Sequence, residues 1–353
     1  SFFNNRLTFT GEAYIRNTKD MLTAGISLPA TYGTSSPRMN SADMQTKGYE
    51  LSLGWQDMFK LAGKPFSYQV NLTFNDYTSE ITKFNNPEKA FAKGYYEGMR
   101  IGEIWGYHID GLFATDEEAA SYEVDQRRVN DIINSSSGAL KGLHAGDLRF
   151  ADLDGDNIIS TGENTVDNPG DRRIIGNSEP RYQYGANLAF QWYGFDFSVF
   201  FQGIGRMDWY PAHEAELFWG PFNRAYATFL PKNFLEQCWS EENPNAYFPR
   251  PRAYVAYDNM GDQCRELTAK NDRYLQNIGY CRLKNLTVGY TLPKNWTRKA
   301  GIDMLRVYFS GENLACWSGI KTDYVDPEQA RRGGDLKVYP WQKTFTFGIN
   351  VNF

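Results

Sequence analysis

Residues 182–202 read YQYGANLAFQWYGFDFSVFFQ. Tyr182, Tyr184, Ala186, Leu188, Phe190 and Trp192 take every second position, against Gln183, Gly185, Asn187, Ala189 and Gln191. After the pair Tyr193-Gly194 the rhythm resumes, with Phe195, Phe197, Val199 and Phe201 against Asp196, Ser198, Phe200 and Gln202. A period of two sends alternate side chains to opposite faces of a strand. The stretch therefore predicts two strands joined by a two-residue turn, each with an apolar face and a largely polar one.

The same pattern recurs on either side. Leu7, Phe9, Gly11, Ala13 and Ile15 alternate with Thr8, Thr10, Glu12, Tyr14 and Arg16. Tyr49, Leu51, Leu53 and Trp55 oppose Glu50, Ser52, Gly54 and Gln56, and Phe66 to Phe74 alternates with Ser67, Gln69, Asn71, Thr73 and Asn75. Toward the end, Leu305, Val307, Phe309 and Gly311 alternate with Arg306, Tyr308, Ser310 and Glu312. The last run sets Phe345, Phe347, Ile349, Val351 and Phe353 against Thr344, Thr346, Gly348, Asn350 and Asn352. Between Tyr274 and Thr291 the phase slips at Lys284-Asn285, which predicts a β-bulge. Helical periodicity is scarce, so the fold class is all-β and antiparallel.

The connections alternate in length. Short ones (57–65, 193–194, 292–303) interleave with long ones (17–45, 78–179, 204–273, 315–340), with 78–179 holding either zero or two further spanning strands within 98–113. A soluble sandwich has no reason to keep every second connection short. A transmembrane β-barrel has, with short periplasmic turns and long extracellular loops. The aromatic share of 16% points the same way, with Trp55, Phe66, Tyr182, Trp192, Trp341 and Phe353 near strand ends, as interfacial girdles require. No apolar run exceeds five residues (253–257), which excludes a spanning helix but not a spanning strand. The net charge of −5 argues against a nucleic-acid partner.

Longer blocks then become recognisable. NSADMQTKGYELSLGW (40–55), GMRIGEIWGYHIDGLF (98–113), GDLRFADLDGDNIISTGE (146–163), DRRIIGNSEPRYQYGANLAFQWYGFDFSVFFQG (171–203), YLQNIGYCRLKNLTVGYTLP (274–293), LRVYFSGENL (305–314) and YPWQKTFTFGINVNF (339–353) occur in this order. The chain resembles the carboxyl-terminal half of a SusC/RagA-type TonB-dependent transporter. The resemblance implies the C-terminal part of a 22-stranded barrel in the outer membrane of a Gram-negative bacterium, surrounded by lipid. It implies import of nutrient oligomers, oligosaccharides before peptides, powered by TonB–ExbB–ExbD and capped by a SusD-like surface lipoprotein. The plug domain, TonB box and early strands that such a protein carries are not in the chain, which is expected to be the back part of a longer one. A structural or adhesive surface barrel is the second reading, and a soluble glycan-binding β protein the third.

Within the expected extracellular loop 114–179, the segment 152–163 has the spacing of an EF-hand loop. Asp152, Asp154, Asp156 and Glu163 stand at loop positions 1, 3, 5 and 12, with the Ile158 carbonyl at 7 and Ser160 at 9, a hard-oxygen set suited to a structural Ca²⁺. Asn157 replaces the turn glycine and is the side chain that best tolerates left-handed geometry. The plain alternative is an acidic Asx-turn loop without metal. In the loop 204–273, Trp209, Tyr210, Trp219, Phe222 and Trp239 offer faces for stacking on sugar or for a partner, or else pack the loop against itself. The histidines His108, His144 and His213 lie far apart and form no catalytic motif, so no enzyme is expected. Cys238 and Cys264 share one loop, where a disulfide and free thiols are equally compatible with the spacing; no C-x-x-C pair exists for zinc.

Overall fold

The computed structural model describes residues 2–24, 31, 33, 37–130, 142–213, 215–224, 226, 228, 230–252, 255–256, 265–331, 338–339 and 341–353. In chain order the strands among them are β1 (Leu7–Ala24), β2 (Arg38–Leu61), β3 (Lys64–Lys83), β4 (Glu103–Gly106), β5 (Ile109–Leu112), β6 (Leu148–Phe150) and β7 (Arg173–Asn177). They continue with β8 (Arg181–Trp192), β9 (Phe195–Arg206), β10 (Asp208–Trp209), β11 (Gln276–Asn277), β12 (Tyr280–Thr291), β13 (Met304–Ser318) and β14 (Thr344–Asn352). Eight of them form one antiparallel sheet in the order β1-β2-β3-β8-β9-β12-β13-β14. Among the described residues β1 and β14 pair on one side only, so the sheet has two open edges.

Register carries the alternation across the whole sheet. On one face Phe9 meets Leu53, Leu53 meets Leu72, and Leu72 meets Ala186. Ala186 in turn meets Phe201, and Phe201 meets Leu283. Farther along, Phe197 meets Val288, Val288 meets Phe309, and Phe309 meets Phe347. Among the described residues this face has no second layer over it: Phe347 is 79% exposed, and Phe9, Leu51, Leu188 and Ile349 are exposed as well. An unbroken apolar sheet face open on this scale needs an apolar solvent, and lipid supplies one. The opposite face carries hydrogen-bonding rungs such as Thr8–Gly54–Asn71–Asn187 and Ser198–Thr287–Ser310–Thr346.

Short links lie at one end of the sheet. Tyr193 (φ 50) and Gly194 (φ 87) form the expected two-residue turn, with both residues left-handed as a type I′ hairpin requires. Ala62 (φ 50) and Gly63 (φ 76) make a second such turn, tighter than the link expected over 57–65. The third link holds two helical turns, Lys294–Thr297 and Arg298–Ala300, closed by Gly301 at φ 72. Near this end Phe59, Phe66, Phe190, Phe197, Phe195 and Tyr290 form an aromatic band, with ring centroids 4.5–6.0 Å apart. Of the residues expected in a girdle, Phe66 belongs to this band.

One boundary differs from expectation, and one open alternative is decided among the described residues. The connection placed over 17–45 is mostly ladder, because β1 runs to Ala24 and β2 starts at Arg38, past a bulge between Thr18 and Leu22. Backbone pairing does not need apolar alternation once the hairpin rises beyond the greasy band. Between β3 and β8, which pair directly, the described residues hold no further spanning strand, so of the two alternatives zero holds there: 98–113 supplies only the four-residue strands β4 and β5. The bulge is where the phase slip put it, between Leu283 and Asn285 in both the β9 and β13 ladders.

At the far end the long connections fold into a body with its own core. Short ladders β4–β7, β5–β6 and β10–β11 frame it. Leu148, Phe150, Ile159, Trp219, Phe222, Leu267, Tyr274 and Ile278 are essentially fully buried and belong to one cluster. Contributions come from the connections 78–179, 204–273 and 315–340, since Val325 and Ala330 join it too.

Candidate functional site

The polar sheet face and the loop body at its far end carry the chain's polar and ionic groups. Glu12 and Glu50 stand directly opposite each other on that face, followed by Asn75 and Gln183 in the same rung. Like charges facing across a ladder repel. Nearer the turns, Arg306 donates to both oxygens of Asp196, at 2.8 and 2.6 Å. Such a wall offers donors, acceptors and charge to water or to a polar cargo.

The bulge has a consequence that the phase slip alone did not announce. It adds Lys284 beside Arg282, and both reach one acidic stretch of the segment 319–331. Arg282 donates to both oxygens of Asp326 at 2.6 Å, and its Nε lies 3.1 Å from Glu328. Lys284 Nζ donates to Glu328 at 2.8 and 2.9 Å. Arg282 is buried, so removing its partners would leave a charge without compensation. This clamp ties the last long connection to the wall.

The expected contact aromatics divide into layers. Trp219 and Phe222 are buried outright, which corrects their reading as platforms open to a ligand. Trp219 packs edge-on against Phe218 at 4.8 Å and Tyr274 at 5.5 Å, and Phe222 against Phe234 and Phe248 at 5.4 Å each. Trp209 and Tyr210 are half-buried, and the Tyr210 hydroxyl donates to the Leu267 carbonyl at 2.8 Å. Trp239, also half-buried, lies against Gly146, where a side chain would collide with its ring and φ is +82. These rings pack the loop against itself because three-sided aromatic contact buries more area than any one exposed face. Cys238 is a buried free thiol pushed up to about 12 by burial, and Cys264 lies outside the described residues.

In the acidic loop, Asp152, Asp154 and Asp156 bring one carboxylate oxygen each within 4.8 Å of one another. Backbone N–H groups of Gly155 and Asn157 donate to Asp152, and Ile158 N–H donates to Asp156. Asn157 adopts φ 62, the left-handed turn that its position required. Burial pushes Asp152 up, but these backbone donors outweigh it and hold the carboxyl below its ordinary value. Ser160 Oγ accepts from Gly162 N–H, whereas Glu163 is exposed and stands outside the three-aspartate group. Sequence reasoning missed Asp171, fully buried beneath the loop, which accepts from Leu153 and Ser160 N–H at 2.7 Å each and so stitches its two ends. The donor set fits a hard cation through three ligands; the twelfth-position ligand is not gathered in this arrangement.

A second missed group lies inside the loop body. Asp147 and Glu266 are buried with one guanidinium, Arg252, 2.9 Å from Asp147. Asn130 Nδ2 donates to Glu266 at 3.0 Å. Burial raises the Glu266 carboxyl well above its ordinary value and the Asp147 charge adds to that; burial likewise raises Asp147, against the pull of Arg252. Two acids sharing one base favour holding a proton.

No family model matches the sequence. Over its whole length the chain is 28% identical to TonB-dependent receptor P3 of Formosa agariphila and 23% identical to TonB-dependent receptor SusC of Bacteroides thetaiotaomicron. It spans about a third of each relative, 33% and 31%. Among solved structures, 99% of the chain superposes on 34% of a chain of the RagAB peptide transporter, with TM-score 0.65 and 22% identity. The RagAB peptide importer in its open-open state gives 0.61 and 20%. The resemblance to SusC/RagA-type TonB-dependent transporters therefore holds from end to end, and the fold is that of a transmembrane barrel wall.

Proposed function

We propose that this chain forms wall strands and the overhanging loop body of an outer-membrane importer of nutrient oligomers, oligosaccharides first. One observation carries the reading: the sheet is continuous, apolar on one face and hydrogen-bonding on the other, with short turns at one end and a folded loop body at the other. Uptake would draw on TonB–ExbB–ExbD through parts of the protein outside this chain, and a SusD-like lipoprotein would sit over the loop body. A structural Ca²⁺ held by Asp152, Asp154 and Asp156 would brace that body. Peptide cargo is the second reading, favoured by the likeness to a peptide importer's fold.

Growth of the source bacterium on purified oligosaccharides or on peptides as sole carbon source tests the proposal, comparing wild type with a strain lacking the gene and one lacking TonB. Loss of growth on one oligosaccharide class in both mutants is the expected outcome. Loss on peptides alone would move the assignment to the second reading, and uptake that survives without TonB would end it.

A further inference from the structure

Between the loop body and the clamped segment 319–331 lies a cleft of about 320 Å³. That volume is at the lower end of the range of about 300–1,000 Å³ typical of small-ligand sites. Part of its lining is aromatic: Phe218, Phe234 and Phe248, each nearly buried, line it. The rings expected to touch cargo pack against this lining, with Trp209 6.0 Å and Trp219 4.8 Å from Phe218. Around the mouth stand Asn233, Gln237, Lys321 and Asp323, and the Tyr324 ring is half exposed beside them. Among the described residues those four polar side chains have no hydrogen bond or ion pair with the rest of the chain.

The far wall is fixed in place before any ligand arrives. Lys321 N–H donates to the buried Gln276 carboxamide at 2.9 Å, and Val325 is sunk in the loop-body core. Asp326 and Glu328, just beyond, are held by Arg282 and Lys284. A ligand entering the cleft therefore loses little affinity to ordering the protein.

We infer that this cleft is a sugar subsite, holding one or two pyranose units of the imported oligosaccharide. The inference rests on the importer reading above and adds to it a location and a ligand. A pyranose ring has C–H faces that pack on aromatic carbon and an equatorial fringe of hydroxyls that donate and accept. The cleft offers the matching set: aromatic carbon in its lining, two carboxamides, a carboxylate and an ammonium at the rim. An apolar peptide side chain would pack on the aromatic lining but would desolvate the four rim groups without pairing them, which costs binding energy.

The test uses the intact protein in detergent and calorimetric titration with maltoheptaose, laminarihexaose, cellohexaose and a tryptic casein digest. Asn233→Ala and Asp323→Ala alter exposed side chains, and heat-modifiable gel migration checks that each variant is folded. Binding of one saccharide, weakened at least tenfold in each variant while TonB-dependent growth on unrelated cargo is kept, is the expected result. Saccharide binding that both variants leave unchanged overturns the subsite and leaves the importer reading standing. Binding of the peptide digest alone, or of no saccharide in the panel, overturns the sugar assignment. Failure of the importer reading shows separately, as growth that does not depend on TonB.

Discussion

Leu188→Arg is the sharpest test of the two-solvent sheet. Leu188 pairs with Val70 on one side and Val199 on the other, midway between the rungs Phe66–Trp192 and Phe74–Tyr184. Eight residues separate those rungs, about 27 Å along the strand at about 3.4 Å per residue, or about 21 Å of membrane height at a tilt of about 40°. Leu188 thus sits about 10 Å from either boundary, where an arginine costs about 2–4 kcal/mol against about 0–1 near an interface. At tenfold per about 1.4 kcal/mol, the folded-to-unfolded ratio falls roughly 30- to 700-fold relative to wild type. Leu51→Arg makes the same chemical change in the boundary rung, opposite Phe74. Exposure does not separate the two leucines, at 40% for Leu51 and 37% for Leu188, so depth alone predicts the difference. Asn187→Arg, one residue away on the wet face, serves as the second control. Urea titration of refolding into phosphocholine vesicles, followed by tryptophan fluorescence and heat-modifiable migration, reads all three. Equal costs for Leu51→Arg and Leu188→Arg would refute the lipid face, because a protein layer covering it has no depth gradient.

Calcium at millimolar concentration should protect the 152–163 loop from limited proteolysis near Gly155, and chelator should reverse the protection; identical digestion patterns would remove the metal. Glu266→Gln should flatten a pH dependence: the folded state keeps the Glu266 proton up to about 8 while the unfolded chain releases it near its ordinary value, so stability falls as pH rises across that window. Wild type and variant should melt alike at pH 5, with the variant higher at pH 9 by roughly 2–4 °C per kcal/mol recovered, and parallel melting curves at both pH values would count against the shared proton. Gly348→Val should destabilise the last hairpin by about 1–3 kcal/mol, because a Cβ there meets the Tyr308 ring lying across the glycine; unchanged urea midpoints would show that the ring is free to move.

The strands, the Tyr193-Gly194 turn and the bulge at Lys284 were legible because each is written in neighbouring residues: alternation, a left-handed pair and a slip of phase. The upper ladder of β1 and β2 was not, since residues such as Lys19, Asp20 and Asn40 show no apolar alternation where the hairpin stands clear of lipid. The loop body was least legible. Its core joins Phe150, Trp219, Tyr274 and Val325 from connections far apart in sequence, and no local period records such contacts. For the same reason an aromatic-rich loop read equally well as platform or core, and only packing placed Trp219 and Phe222 inside. Asp171 and Glu266 gave no signal at all, as a carboxylate's burial depends on what folds over it.

The clamp at Arg282 and Lys284 explains why one chain can serve two solvents. A sheet stabilised by lipid on one face gains nothing from the water-filled side, so a loop body resting there needs separate attachment. Hydrophobic packing supplies little of it on a mostly polar wall, where Ile204 of β9 packs against the loop-body core. Charge can supply it, provided the wall presents cations to an acidic stretch of the loop, as Arg282 and Lys284 do. Lys284 is the extra residue of the bulge, and it meets Glu328 while Arg282 meets Asp326. Deleting Lys284 restores regular register and should leave the barrel strands in place while the segment 319–331 loses its Lys284–Glu328 pair and keeps the Arg282–Asp326 pair.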